Sequence, residues 1–215
     1  MGVPRVYRKS GDQLVNYNWQ DINTGTGYVT FYGFSTKNPA DNSLSYALST
    51  QQFFSSTIET VTGAINANGV SISEDYDLYF NIPTIIEGDL WAQFSIACDF
   101  NDATKLYGNV RVRKFDGTTT TNIASGLSEH ITDFGAGADE KTVLAKVIVP
   151  RTLFKAGETM RVTMDITVSN YQGNPCTFTA FAHDPQDRDG AKIVPSVDDS
   201  TTTIFRLNVP FKPQI

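Results

Sequence analysis

Histidine and cysteine are scarce in this sequence, two of each in 215 residues. Their positions match no Cys/His zinc spacing, and at most one disulfide, Cys98 with Cys176, is available. Each cysteine lies in an apolar alternation, which favours buried free thiols. A bridge would require their strands to be neighbours, which spacing in the chain does not establish. Positive charge is also short: 17 Lys and Arg against 23 Asp and Glu leave a net charge of −6. A broad basic footprint is therefore absent, and no nucleic-acid partner is expected. No apolar run reaches the length of a membrane span. The N-terminal stretch has no apolar core of a secretion signal, and Val6 stands where a myristoylation motif needs Ser or Thr. The expectation is a protein made in the cytoplasm, with no signal peptide and no membrane partner.

A sustained helical period is missing as well. "SLSYALSTQQFF" and "PRTLFKAG" offer at most a short helical turn each. What is present suits pleated, half-buried surfaces: 14 Phe, nine Tyr and abundant Thr and Val. In "ETMRVTMDITVS", Met160, Val162, Met164, Ile166 and Val168 alternate with Arg161, Thr163, Asp165, Thr167 and Ser169. That period of two predicts a strand with one face in the core and the other in water. "WAQFSIACDF" aligns Phe94, Ile96, Cys98 and Phe100, and "GNVRVRKF" sets Val110 and Val112 against Arg111 and Arg113. Further strands are expected at 28–34, 53–60, 77–81, 142–149, 177–183 and 203–209. Turn chemistry separates them at "EGD" (87–89), "FDG" (115–117), "KAGE" (155–158) and "YQGNP" (171–175).

Many strands, polar turns and no β-α alternation predict an all-β protein, an antiparallel β-sandwich. A jelly-roll-like arrangement fits the strand number. The order of Trp19, Trp91, Cys98 and Cys176 does not fit an immunoglobulin domain. Residues 1–50 read as an N-terminal arm and extension packed on the sandwich or on a neighbour, and 51–215 as the sandwich with a C-terminal tail. The tail, "VPFKPQI", carries two prolines and is expected to be extended.

Two polar clusters hold residue types that metal or catalytic sites use. "HDPQDRDG" holds His183, Asp184, Asp187, Arg188 and Asp189. The three aspartates are oxygen donors of the kind Ca²⁺ takes, yet their spacing is not that of an EF-hand, because Ala191 falls on a ligand position. Asp-Pro and Asp-Gly favour an ordered turn, which is the preferred reading; Asp184, Asp187 and Asp189 remain the candidate Ca²⁺ ligands, and no other cofactor is implied. "SEHITDF" brings Glu129, His130 and Asp133 together without matching any metal or catalytic motif. No nucleophile elbow, P-loop or dinucleotide fingerprint occurs. The chain is not expected to be an enzyme. Aromatic residues Tyr17, Trp19, Tyr28, Phe31 and Tyr32 crowd the N-terminal region, where core or inter-subunit packing is the preferred reading and sugar binding the alternative.

Several stretches are similar in style to virion structural proteins of phages and viruses: "FNIPTIIEGDLWAQFSI", "VIVPRTLFKAGETMRVTMDITV" and the closing "AHDPQDRDG…TIFRLNVPFKPQI". The resemblance covers the chain from about Asp77 onward and rests on no diagnostic motif. It implies a self-assembling capsid or capsid-decoration subunit, located in the virion, that binds itself and other virion proteins as a homo-oligomer. Arg5, Tyr7, Arg8, Lys9 and Trp19 in the N-terminal arm, with Phe211 and Lys212 in the tail, are then the candidate interface. The alternative is a carbohydrate-binding β-sandwich, a viral adhesin or receptor-binding module.

Overall fold

The computed structural model describes residues 27–37, 44–50, 59–65, 67–98, 105–131, 139–169, 171, 176–183 and 205–212. Every regular element among them is a strand: β1 (Gly27–Lys37), β2 (Leu44–Ser49), β3 (Glu59–Ile65), β4 (Gly69–Tyr79), β5 (Thr84–Cys98), β6 (Leu106–Phe115), β7 (Thr120–Leu127), β8 (Asp139–Phe154), β9 (Thr159–Val168), β10 (Cys176–His183) and β11 (Phe205–Lys212).

Two antiparallel sheets face each other. One runs β3-β10-β5-β8 and the other β4-β9-β6-β7. The chain crosses between the sheets at β3–β4, β4–β5, β5–β6, β7–β8, β8–β9 and β9–β10, which is the winding of a jelly roll. β11, β1 and β2 widen the first sheet. β10 covers β5 from Ser95 to Cys98, and β11 covers it from Ile85 to Phe94, so the two strands share one edge of β5 end to end. Both seams of the sandwich are narrow. A single parallel pair, Ala47 with Asp77, joins β2 to β4, and a bridge from Ser128 to Ala145 joins the end of β7 to β8.

The alternating apolar residues meet between the sheets. Phe94, Ile86, Leu90 and Ile96 of β5 pack with Val143, Ala145 and Val147 of β8, Val110 and Val112 of β6, and Met160, Val162, Met164 and Ile166 of β9, all nearly inaccessible. Each such side chain contributes about 1.5–3 kcal/mol by leaving water. The sheets approach closely at Gly108, where a Cβ would lie 2.9 Å from both the Phe94 ring and Val143.

Several local expectations change once the partners are in place. "EGD" does not end a strand. Gly88 takes φ +124° within β5, and the pairing with β8 shifts just before it, where Glu87 stands opposite both Pro150 and Arg151; the extra residue of this β-bulge is on β8, and β5 continues through it. "LSYALS" and "PRTLF" are strand in β2 and β8, not helical turns, because each is hydrogen-bonded into a sheet. The segment from Val209 to Lys212 is likewise no free tail. It completes β11 between β5 and β1, and the ladder to β5 breaks between Asn208 and Phe211, where Pro210 has no N–H to offer. The "KAGE" turn does form: Glu158 accepts a bond from the Lys155 N–H at 2.6 Å, and Gly157 takes φ +88°.

Candidate functional site

The outer face of β4-β9-β6 is built from the polar half of each alternation. Arg161 forks onto Asp77, with Nε and Nη2 each donating at 2.7 Å to the two carboxylate oxygens. Arg113 pairs with Asp75, which also accepts from the Thr163 hydroxyl at 2.6 Å. Asp165 accepts from Ser73 at 2.6 Å, Arg111 at 2.9 Å and Asn109 at 3.2 Å. Arg161 also lies over the Phe115 ring at 4.8 Å. The bond to Asp77 raises the affinity of Arg161 for its proton further. The face expected to meet water is therefore roofed: Thr163 and Asp165 are each only 1% exposed. β9 is the middle strand, and the long side chains of β4 and β6 lie across it. Three arginines and three aspartates match one another, and each of these carboxylates is already an anchored acceptor. The arrangement stiffens the sheet and offers no unpaired carboxylate to a substrate.

The outer face of β8-β5-β11-β1 has the opposite character. In β8, "TVLAKVIVP" is apolar in both phases of its alternation. Val143, Ala145, Val147 and Val149 point into the core, which leaves Leu144 52% and Ile148 70% exposed, with Leu153 48% exposed farther along. Register sets Leu144 beside Gln93 and Lys146 beside Trp91 on β5. On β11, Arg206 lies beside Gln93 and Asn208 beside Trp91, and on β1 Tyr32 and Thr30 continue these two rows. The Lys146 ammonium sits 5.4 Å from the Trp91 ring centre and 2.5 Å from Asp89. Arg206 lies 5.9 Å from the Tyr32 ring, and Thr30 donates to Asn208 at 2.7 Å. The result is an aromatic and aliphatic platform crossed by short polar rows.

Arg5, Tyr7, Arg8, Lys9, Trp19, Asp133, Asp184, Asp187 and Asp189 lie outside the described residues. Phe211 is in β11, with its ring 6.2 Å from Phe31 and 6.4 Å from Phe80, packed against the core. Lys212 reaches Glu87 at 3.3 Å. Phe31 is core and Tyr32 belongs to the platform. Phe178 pairs with Cys98, and Cys176 stands two residues from that pair on β10, so the cysteine-bearing strands are neighbours. His130 is exposed, 3.2 Å from the Ser169 hydroxyl and stacked near Tyr107, on the β4-β9-β6 side. His183 ends β10 in the other sheet. Among the described residues no three His, Cys, Asp or Glu side chains are grouped to hold a metal ion.

No known protein family matches the sequence, and no curated protein does. Solved structures do. The fold is shared with hydrolases. A CocE/NonD family hydrolase from Staphylococcus aureus superposes on 88% of this chain at 12% identity, with a TM-score of 0.55. A second structure of that hydrolase covers 86% at 11% identity, with a TM-score of 0.52. This chain spans only 37% of the length of each. Identities this low carry the architecture and no residue roles. They correct the functional expectation nonetheless: both of these solved counterparts are hydrolase chains, and the reading as a virion shell, decoration or adhesin subunit is overturned. Style of sequence misled because alternating strands joined by polar turns mark any jelly roll, whatever it serves.

The sequence reading also passed over the β8 platform. The available signal was the run from Val143 to Val149, apolar at every position but Lys146. Such a run is typical of a strand covered on both faces.

Proposed function

We propose that the chain is a non-catalytic binding module that docks on a protein partner through the outer face of β8-β5-β11-β1. One observation carries this reading: β8 has the sequence of a strand covered on both sides, yet Leu144 and Ile148 of its outer side are 52% and 70% exposed. Exposed Ile148 and Leu144 beside Trp91 give the fully desolvated centre that protein interfaces favour, with Lys146, Asp89 and Arg206 as its polar surroundings. Its use as one part of a larger assembly is in keeping with the comparison, since the matched region is about a third of each hydrolase chain. Contact alone does the work, and no cofactor is called on.

The test pairs an apolar dye with a simple ester. The wild-type chain is expected to enhance anilinonaphthalene sulfonate fluorescence, and Ile148→Lys or Leu144→Glu to lose most of that signal at an unchanged melting temperature. Hydrolysis of p-nitrophenyl acetate should match buffer. Absence of dye binding by the wild type, or steady ester turnover, would overturn the reading.

A further inference from the structure

We infer that the partner of this face is a second copy of the chain, related by a two-fold axis near the Lys146–Asp89 pair. The inference rests on the docking face just described and adds its occupant.

Area is the first support. Four strands at about 4.8 Å spacing and the stretch Ile85–Phe94 at about 3.3 Å per residue make a plane of roughly 19 by 33 Å. With side-chain relief that approaches the ~800 Å² per partner of a stable protein interface. Charge is the second. Among the described side chains, two carboxylates of the face already have lysines, Asp89 with Lys146 at 2.5 Å and Glu87 with Lys212 at 3.3 Å. A strongly acidic or strongly basic partner would find these charges paired, whereas a two-fold copy returns the same pairs in reversed order. Lys146 and Asp89 are 40% and 38% exposed, so each can turn from its own partner to the equivalent group opposite without leaving a burial site. Such isologous contact places Ile148 and Leu144 of one chain on the platform of the other, as in sheet-on-sheet packing about 10 Å apart.

Sedimentation equilibrium of the full chain tests this, with dye binding as the parallel readout. A concentration-dependent dimer is expected, and Ile148→Lys should raise its dissociation constant at least about tenfold. Lys146→Asp and Asp89→Lys should each be monomeric alone, through like charges at the axis, and form a dimer when mixed. A wild-type monomer that still binds dye overturns the second copy and leaves the docking face standing. A monomer that binds no dye overturns both. A dimer indifferent to Ile148→Lys uses another surface and overturns the inference, and failure of the mixed variants to pair overturns the proposed axis.

Discussion

Gly126→Ala should open the sandwich along one seam. A Cβ at Gly126 would stand 1.9 Å from the carbonyl oxygen of Lys146, 2.8 Å from its carbon and 3.1 Å from the Val147 Cα. All three are backbone atoms of β8, which is hydrogen-bonded along its length to β5 and cannot yield by a rotamer change. A carbon-to-oxygen contact needs about 3.3 Å, so β7 and β8 must part by about 1.4 Å (about 3.3 less 1.9). That movement threatens the Ser128–Ala145 bridge, where Ser128 also holds Gly108 through two bonds of 2.8 Å. Losing one such bond costs about 1 kcal/mol. Admitting water beside Ile123 and Ala124, now packed against the core, costs about 1–2 kcal/mol more. Reduced freedom of the unfolded chain returns about 0.5 kcal/mol. The net is about 2 kcal/mol, or a melting point lower by about 4–8 °C for a domain of this size. Urea unfolding of Gly126→Ala beside Gly117→Ala separates the mechanisms. Gly117 has φ +97° and open space around it, so alanine there should cost only about 1 kcal/mol of backbone strain. An alanine at 126 that is neutral or stabilising would refute the seam.

Asp165→Ala should cost about 2 kcal/mol, since it strips Ser73, Asn109 and Arg111 of their acceptor under the polar roof; part of the loss is spared because Arg111 is 35% exposed. An unchanged urea midpoint would show that water replaces the carboxylate without cost. Two carboxylates should respond to pH with opposite signs. Partial burial, then the neighbouring Asp75, raises Glu74 above 4.5, so its folded form disfavours the charge; Glu74→Gln should be stabilising at pH 7 and the gain should vanish below about pH 4.5. At Glu158 desolvation is outweighed by the bond from Lys114 and the Lys155 N–H, and its pKa falls; Glu158→Gln should be destabilising at pH 7, with the difference fading as pH drops through the lowered value. Stability curves of the two variants that run parallel to wild type would contradict both assignments.

Much of the architecture was legible because single-face burial writes itself as alternation. Met160 to Val168 and Val110 with Val112 gave the core positions of β9 and β6 directly. What alternation could not supply was who lies across the polar phase. Asp165 reads as a solvated residue until β4 and β6 bring Ser73, Asn109 and Arg111 over it. Glycine in "EGD" was ambiguous for a similar reason: a positive φ serves a turn or an irregular point inside a strand, and only the continuing β8 partner selects the strand. Pro210 was misread through its missing donor, which matters only if the opposite ladder asks for one. The platform was hidden in the apolar run of β8, which does not say which of its two faces will be covered.

The position of β5 has a consequence for synthesis. Its one edge is finished by β8 and the other by β10 and β11, and Gly27 of β1 pairs with Phe211, 184 residues later (211 less 27). Strands made early therefore wait for strands made last. Between Thr84 and Lys212 lie 128 residues (212 less 84), which a ribosome adds in about 6–26 s at about 5–20 residues per second. Throughout that interval the edge of β5 from Ile85 to Phe94 lacks its β11 partner, and a chain cut short before β11 never gains it. An unpaired strand edge is a template for association, so a chain ending before β11 should aggregate more readily than the full chain.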